Sequence, residues 1–329
     1  MPLDASSLPK PGRWRLPCPG TFALLVLFTC AAPLTGQSPR QVAITIDDLP
    51  TVAAGPGADA QEIVTDALLR ALVDAGVRAT GFVNEIKLDS AGVPSERGTR
   101  LLEAWIDAGQ DLGNHTYSHL WFFESDAERF IADIERGEQV WRPLMEARGP
   151  FVPYLRHPRL NTGPTAEERA RVERYLDTVG YRVAPVTIDN YDYLFANAYA
   201  RSLERGDAAR AAQIGEAYLV YMDRVFAFYE SQSVTILGYE PPQILLLHAN
   251  RLNADHLPRL LGRIRDRGYE FVPLGQALED EAYDRPDAFV GRQGITWLHR
   301  WAITAGMPGE TFRGEPTVPE WIVELASSD

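Results

Sequence analysis

Short apolar runs alternate with helical patterns along most of this 329-residue chain. The run VAITI at residues 42–46 has the length of a buried strand, and residues 60–75 carry apolar side chains at helical spacing. The alternation continues, with strands predicted at 79–83, 111–114, 181–188, 244–247 and 269–273 and helices at 100–108, 126–147, 165–179 and 254–267. Strands separated by helices of this length form parallel βαβ units. We therefore expect an α/β fold built on a parallel sheet.

Two segments depart from this alternation. Residues 195–238 are a predicted helical insertion, and residues 285–329 are a predicted helical extension that packs back on the domain. One stripe of the insertion is apolar: Tyr218, Met222, Val225 and Tyr229. Such a stripe is typical of an amphipathic helix docked on the core, rather than of a binding surface. No low-complexity linker divides residues 37–284, which are therefore predicted to be a single domain.

The first 36 residues have the pattern of a secretory signal. Lys10, Arg13 and Arg15 precede an apolar run at 22–34, and small, turn-prone residues follow it at 35–37. The run is shorter than the about 18–20 residues that a spanning helix needs, so no integral membrane domain is expected beyond an N-terminal anchor. The interpretations left open are a cleaved signal and an uncleaved anchor. Either one predicts export, to a periplasm or to the cell exterior.

Both cysteines of the chain, Cys18 and Cys30, lie inside this leader. After its removal the chain has no cysteine, which excludes disulfides, thiolate metal sites and a cysteine nucleophile. Any metal ion must then be held by histidine, aspartate or glutamate side chains.

The charge of the chain argues against nucleic acid as a partner. It has 45 acidic and 32 basic residues, for a formal net charge of −13, and only two of the basic residues are lysines. An acidic chain repels phosphate backbones and anionic lipid headgroups. We therefore expect neither nucleic-acid binding nor a polybasic membrane surface.

Two histidines have a spacing that suits a shared ligand. His115 and His119 are four residues apart, and side chains at that spacing lie on one face of a helix, from which both imidazoles can reach one ion. The alternative is a pair of surface or capping histidines. The pair alone does not decide between them.

Carboxylates and a third histidine follow two of the predicted strands. Asp47 and Asp48 end the first strand, and His248 ends the strand at 244–247. In a parallel barrel these positions face the site at the carboxyl edge of the sheet. Adjacent carboxylates point in different directions, so one can bind a metal while the other acts as a base, and a histidine there can act as a general acid. The alternatives are a capped turn for the aspartates and an ordinary rim position for the histidine.

Five segments carry the candidate residues in order along the chain: TIDD at 45–48, HTYSH at 115–119, RHP at 156–158, DNYDY at 189–193 and LLLH at 245–248. Taken together, they resemble the polysaccharide deacetylase family (carbohydrate esterase family 4, related to chitin-oligosaccharide deacetylases). The sequence VRATGFV at 77–83 is also similar to the second strand of that family. The resemblance covers residues 41–274, which is most of the chain after the leader.

The resemblance implies an irregular (β/α) barrel that binds one divalent metal ion, usually zinc, with cobalt, nickel or manganese as alternatives. The implied ligands are Asp48, His115 and His119. The remaining implied roles are a general base, Asp47, held by Arg156; a general acid, His248, oriented by Asp189; an oxyanion donor, the backbone N–H of Arg159; and a groove residue, Tyr193. The implied partner is an acetylated polysaccharide or oligosaccharide.

The sequence departs from the family pattern where the substrate is held. RLNTG at 159–163 stands where the family has an aromatic residue and then glycine, and Tyr193 replaces a tryptophan. These departures leave the substrate open. The favoured hypothesis is removal of acetyl groups from N-acetylated sugars of an envelope or extracellular glycan. The alternatives are an O-acetyl ester hydrolase of the acetylxylan type with the same centre, and a non-catalytic carbohydrate-binding barrel.

Overall fold

Nine strands and eleven α-helices lie in residues 40–90 and 93–327, the part of the chain that the computed structural model describes. The strands are β1 (Arg40–Leu49), β2 (Thr80–Val83), β3 (Asp89–Ser90), β4 (Val93–Pro94), β5 (Asp111–Asn114), β6 (Tyr154–Leu155), β7 (Arg182–Val183), β8 (Gln243–His248) and β9 (Tyr269–Phe271). The helices are α1 (Ala60–Asp74), α2 (Glu96–Asp107), α3 (Ala127–Arg136), α4 (Trp141–Glu146), α5 (Ala166–Val179), α6 (Asp192–Glu204), α7 (Ala208–Leu237), α8 (Arg251–Asp266), α9 (Leu274–Ala277), α10 (Trp297–Thr304) and α11 (Glu320–Ser327).

The main sheet is parallel, with the strand order β7-β6-β5-β2-β1-β8. β1 pairs with β2 on one side and with β8 on the other, and its first residues also pair with β9. β5, β6 and β7 continue the sheet beyond β2, whereas β3 and β4 form a separate antiparallel pair. The apolar run at 42–46 is buried throughout, as a strand covered on both faces requires.

The two ends of this sheet are joined by the segment that follows β7. β7 pairs with β6, and further along the same segment Ile188 forms a parallel bridge with Leu245 in β8. The backbone N–H groups of Thr187 and Ile188 both donate to the Ile244 carbonyl at 3.1 Å. The strand predicted at 181–188 therefore pairs only at its two ends. Because one segment touches both edge strands, the sheet curls into an irregular (β/α) barrel, which confirms the predicted fold class.

The helix predicted at 126–147 is instead two helices, α3 and α4. The break begins at Gly137, where a Cβ would lie 2.5 Å from the backbone nitrogen of Tyr117. The buried carboxylate of Glu85 then accepts hydrogen bonds from the backbone N–H groups of Gln139, Val140 and Trp141, at 3.0, 2.7 and 3.0 Å. These contacts come from residues more than 50 positions away in the chain, so the helical periodicity of 126–147 did not reveal them.

The predicted insertion and extension are helical. Their main contacts join α6 to α7 and α11 to α6, both α6 and α7 also pack against α8, and α10 contacts α7. The stripe residues of α7 are buried, as predicted: Tyr218, Met222, Val225 and Tyr229. Trp297 and Trp301 are buried in α10, and Trp321 in α11 packs against the core.

The predicted leader at residues 1–36 lies outside the described residues. Over the described part of the chain, no helix combines the length and the apolar content that crossing a membrane requires.

Candidate metal and catalytic site

The carboxyl ends of β1, β5 and β8 converge on one cavity of about 520 Å³. Asp47 and Asp48 come from β1, His115 follows β5, and His248 ends β8, where it is the register partner of Asp47. Strands that run in parallel place their carboxyl ends at the same edge of the sheet, which is why residues distant in sequence meet here.

Asp48, His115 and His119 form a cluster that could hold a metal ion. One ligand atom from each lies within 4.8 Å of the other two. The cluster is not built on a helix, so that part of the sequence prediction is wrong. Residues 115–119 form a loop, in which Thr116 and His119 have left-handed φ values of 59° and 56°.

The loop is fixed by buried amide side chains on the two preceding strands and their ends. Asn114 Oδ1 accepts a hydrogen bond from the Thr116 N–H at 2.7 Å, and Asn84 Nδ2 donates to the carbonyl groups of His115 and Thr116 at 2.6 and 3.2 Å. Short polar contacts of this kind replace the helical hydrogen bonds. They bring the two imidazole rings to a centroid distance of 5.0 Å.

The histidines have the protonation state that a metal ion requires. His115 Nδ1 lies 2.8 Å from the carbonyl oxygen of Arg156, which can only accept, so Nδ1 carries the proton and Nε2 offers its lone pair. Burial lowers the pKa of His115 well below its usual range, and burial also lowers that of His119. Two neutral imidazoles and one carboxylate are a donor set that fits zinc and related divalent ions.

Lys87 contacts this cluster, and the sequence analysis did not identify it. Its Nζ donates to Asp48 Oδ1 at 2.9 Å and to the Asp48 carbonyl at 3.0 Å. Burial alone would raise the pKa of Asp48, but the charge of Lys87, followed by that of His248, holds it well below its usual range. Two features of the sequence could have drawn attention to Lys87: it is one of just two lysines in the chain, and it follows the second predicted strand.

Asp47 lies beside the cluster as a carboxylate that makes no close hydrogen bond. Its Oδ2 is 3.7 Å from Arg156 Nη1 and 3.7 Å from His115 Nε2, and its Oδ1 has no hydrogen-bond partner among the described residues. Burial raises the pKa of Asp47 to about 6, against the opposing charge of Arg156. Arg156 is itself fixed by a hydrogen bond from Nη2 to Thr45 Oγ1 at 2.9 Å.

The carboxylate that holds His248 is Asp192 and not Asp189, which corrects the sequence prediction. Asp192 Oδ1 lies 2.6 Å from His248 Nδ1, and Asp192 Oδ2 accepts the backbone N–H of His248 at 2.9 Å. Burial alone would lower the pKa of His248, but the charge and hydrogen bond of Asp192, together with Asp48 and Asp47, raise it to about 10. Both aspartates lie in the segment DNYDY, so the pattern offered two candidates and the local sequence did not distinguish them.

Asp189 lines the cavity without a hydrogen bond to the imidazole. Its Oδ1 accepts the backbone N–H of Asn190 at 2.8 Å, and burial raises the pKa of its carboxyl to about 7. The charge of His248 acts in the opposite direction on that pKa. The two groups therefore interact electrostatically, while the orientation of the ring depends on Asp192.

The two predicted substrate residues also line the cavity. Tyr193 is 44% exposed and meets the ring of His248 edge-on at a centroid distance of 6.5 Å. Arg159 has a left-handed φ of 55°, and its guanidinium lies 4.7 Å from the ring centroid of Trp121. Trp121 follows the second histidine of the HTYSH segment by two residues and contacts Arg159, but it is not among the residues that line the cavity.

Comparison with known proteins gives a family and a set of solved structures. The family model described as "Polysaccharide deacetylase" matches residues 35–183. No curated protein matches the chain. Similar solved structures include a family 4 carbohydrate esterase from Streptomyces lividans in complex with acetate, at 22% identity, covering 70% of this chain and 90% of that one, with a TM-score of 0.43. A second is the peptidoglycan deacetylase PdaC from Bacillus subtilis, at 19% identity, covering 74% of this chain and 91% of that one, with a TM-score of 0.46. A third is a CE4 family pseudoenzyme from Bacillus anthracis, at 17% identity, covering 74% of this chain and 66% of that one, with a TM-score of 0.44.

Proposed function

Because a polysaccharide deacetylase family model matches residues 35–183, we propose that the chain is a metal-dependent hydrolase that removes acetyl groups from N-acetylated sugars of an envelope or extracellular polysaccharide. One observation carries the proposal. A cluster of three candidate ligand side chains, Asp48, His115 and His119, shares a cavity with the buried carboxylate of Asp47 and the imidazole of His248.

Asp48, His115 and His119 would hold a single divalent ion, which we propose is zinc. When bound, such an ion supplies Lewis acidity to an acyl oxygen and increases the acidity of water. The backbone N–H of Arg159 is proposed to donate a hydrogen bond to the oxyanion that develops during attack on the acetyl carbonyl.

Asp47 is proposed to be the general base. With a pKa of about 6 it is ionised at neutral pH and still basic enough to accept a proton from an attacking water molecule. Its ion pair with Arg156 fixes the carboxylate beside the ligand cluster.

His248 is proposed to be the general acid. Its raised pKa keeps the ring protonated at neutral pH, and Asp192 holds Nδ1, so the proton on Nε2 is the one available to the substrate. That proton goes to the departing sugar nitrogen as the carbon–nitrogen bond breaks, and the products are acetate and the free amine. An amine is a poor leaving group without a proton, so a histidine that stays protonated favours amide over ester cleavage.

Acetate release from a panel of substrates tests the proposal. The zinc-loaded protein is incubated with chitin oligomers, peptidoglycan fragments and acetylated xylan, and the released acetate is measured. We expect release from the N-acetylated glycans. Release from xylan alone would indicate the O-acetyl ester hydrolase, and no release from any of them would indicate a non-catalytic barrel.

Two substitutions separate the base from the metal ligands. Asp47→Asn should lower kcat by about 10²–10⁴-fold, because the base is lost, while the protein still binds one equivalent of metal. His119→Ala should lower both the metal content and the rate, because a ligand is lost. Atomic absorption and acetate release measure the two quantities. A near-normal rate in Asp47→Asn would show that Asp47 is not the base.

We also propose that residues 1–36 direct export, to a periplasm or to the cell exterior, as a cleaved signal or an N-terminal anchor. The proposal is supported by the basic and apolar pattern of these residues and by the extracytoplasmic location of the proposed substrate. N-terminal sequencing of the protein recovered from membrane and soluble fractions distinguishes the two forms.

A further inference from the structure

One wall of the cavity is a turn in a conformation that its residues rarely adopt. Arg159 and Leu160, both in the cavity wall, have left-handed φ values of 55° and 52°. Each such residue costs about 1–3 kcal/mol when it is not glycine, so the surrounding structure must hold it. We call residues 159–163 the wall turn.

The wall turn is held by a segment near the C-terminus, residues 287–301, which we call the strap. Asn161 Nδ2 in the turn donates to the strap carbonyls of Gly291 and Arg292, at 2.9 and 3.0 Å. From the strap, Arg300 donates to the carbonyl of Leu160 through Nη2 and to Thr162 Oγ1 through Nη1, the latter at 2.9 Å.

Arg300 is buried as completely as the apolar core. Its charge is balanced by Asp287 at 3.1 Å, and its guanidinium lies over the ring of Trp297 at 4.3 Å. A buried arginine with this many fixed contacts positions the groups it touches, because its planar donors allow few alternative geometries. Here the groups it touches belong to the wall turn.

At Gly294 the strap and the wall turn meet backbone against backbone. A Cβ built on Gly294 would lie 1.9 Å from the carbonyl oxygen of Arg159 and 2.4 Å from the carbonyl carbon of Leu160. Neither atom belongs to a side chain that could rotate away. The preceding residue, Gln293, lines the cavity. Glycine at this position is what allows the strap to reach the site.

We propose that the strap is part of the substrate site. Gly294 and Arg300 are positioning residues that keep the backbone N–H of Arg159 directed at the reacting acetyl group, and Gln293 is a specificity residue whose amide hydrogen-bonds the hydroxyl or acetamido groups of the bound sugar. The catalytic part of this inference rests on the proposed function. The strap lies outside residues 35–183, to which the family model is matched.

The central test compares Gly294→Ala with Gly309→Ala, a glycine of the same extension whose added Cβ would have no atom within 4 Å. The expected result for Gly294→Ala is at least a tenfold loss of kcat, with unchanged KM and metal content. This loss is expected because displacing one oxyanion donor costs about 10²–10³ in kcat. Gly309→Ala should stay within twofold of wild type. Gln293→Ala should raise KM several-fold while kcat is kept.

Hydrogen–deuterium exchange supplies a readout that does not depend on activity. The amides of Leu160, Asn161 and Gly163 are hydrogen-bonded within the wall turn and its flank, so Gly294→Ala should speed their exchange selectively. Wild-type kcat together with wild-type exchange in these amides would overturn the positioning role. An unchanged KM in Gln293→Ala would overturn the specificity role.

A second variant covers the case in which Gly294→Ala does not fold. Arg300→Lys keeps a charge opposite Asp287 but cannot reach Leu160 and Thr162 at once, so lower kcat and faster exchange of the wall turn are expected. Wild-type values for both would overturn the proposal. If the wild-type protein itself releases no acetate, the proposed function fails, and the exchange data alone decide whether the strap holds the wall turn.

Discussion

Asp192 holds His248 through both of its carboxylate oxygens, one on the ring and one on the backbone. Its other contacts come from Asn253 and Asn250, whose side-chain amides donate to Oδ2 at 2.7 and 3.4 Å. The hydrogen bonds and the charge of His248 keep the pKa of Asp192 below its usual value despite its burial. Both partners are therefore ionised at neutral pH. Removing either one would destabilise the folded protein, because the other would remain as an unpaired buried charge.

Replacing this carboxylate should change the pH dependence of the reaction. The pKa of His248 is raised from its ordinary value of 6.5 to about 10, so the acid is protonated below pH 10 and activity should decline above it. In Asp192→Asn the main raising charge is lost, and the alkaline limb of the kcat/KM profile should move toward neutral pH. A profile of acetate release between pH 6 and 11 would measure the shift, with Asp189→Asn as the control.

Asp189→Asn should leave the alkaline limb near its wild-type position, because Asp189 makes no hydrogen bond with the ring in the described structure. Equal shifts in the two variants would contradict the assignment of the orienting role to Asp192.

The ion pair between Asp192 and His248 also affects folding stability. Because the pKa of His248 is higher in the folded state, its contribution to stability is complete below about pH 6.5 and is lost as the pH rises through about 10.

At the scale of single residues, the sequence identified the types of side chain better than their contacts. Asp47, Asp48, His115, His119 and His248 were all singled out from their positions after strands or their spacing, and the structure brings them into one cavity. The contacts of Lys87 and Asp192 were missed. Which of several nearby polar side chains makes a hydrogen bond depends on side-chain direction, and that direction is set by packing between distant segments.

Among the helices, α7 shows how reliably periodicity indicates a buried face. Its stripe was predicted from spacing alone, and the stripe residue Met222 is fully buried, whereas Val220 on the same helix is 54% exposed. The spacing works because a helix side that is apolar along its whole length must pack against the core.

This difference in burial predicts a difference in stability. Met222→Ala should lower the free energy of unfolding by about 2–5 kcal/mol, because it removes buried methylene groups and leaves a cavity. Val220→Ala should change it by no more than about 0.5 kcal/mol, since that side chain already contacts solvent. Urea unfolding followed by circular dichroism measures both values. Similar losses in the two variants would show that the stripe does not form the packing face.

Periodicity was a poorer guide where a helix ends because of distant contacts. The pattern at 126–147 is continuous in sequence, yet the chain is not helical between α3 and α4. The carboxylate of Glu85 satisfies the free N–H groups at the start of the second helix, and Gly137 lets the Tyr117 backbone approach. Helix propensity is weak compared with such tertiary contacts.

For the whole molecule, the decisive feature is the closure of the sheet by residues 187 and 188. Thr187 Oγ1 accepts the backbone N–H of Ile244 in β8 at 2.7 Å, in a fully buried environment. Parallel edge strands expose unpaired N–H and C=O groups, and a barrel removes the edge by pairing them. Closure also brings Asp189 and Asn190 to the cavity, because they directly follow the bridge.

Removing this hydroxyl should weaken the closure. Thr187→Val keeps the shape of the side chain but leaves the Ile244 N–H without that acceptor, which should cost about 1–3 kcal/mol of unfolding free energy. Thr178→Val, at an exposed position on α5, is the control and should be close to neutral. Urea denaturation at a constant m value would compare them. An equal urea midpoint for Thr187→Val and wild type would argue against a stabilising role for the hydrogen bond between Thr187 Oγ1 and the Ile244 N–H.

The sequence by itself determined the alternation of strands and helices, the absence of cysteine after residue 30, and the identities of the side chains that gather in the cavity. Local chemistry and periodicity carry that information, because strand ends in a parallel barrel meet at one edge wherever they occur in the chain. Only the tertiary structure decided that Asp192 holds His248 and that Gly294 meets the wall turn. Those contacts join segments more than 50 residues apart, and their geometry depends on the packing of every element between them.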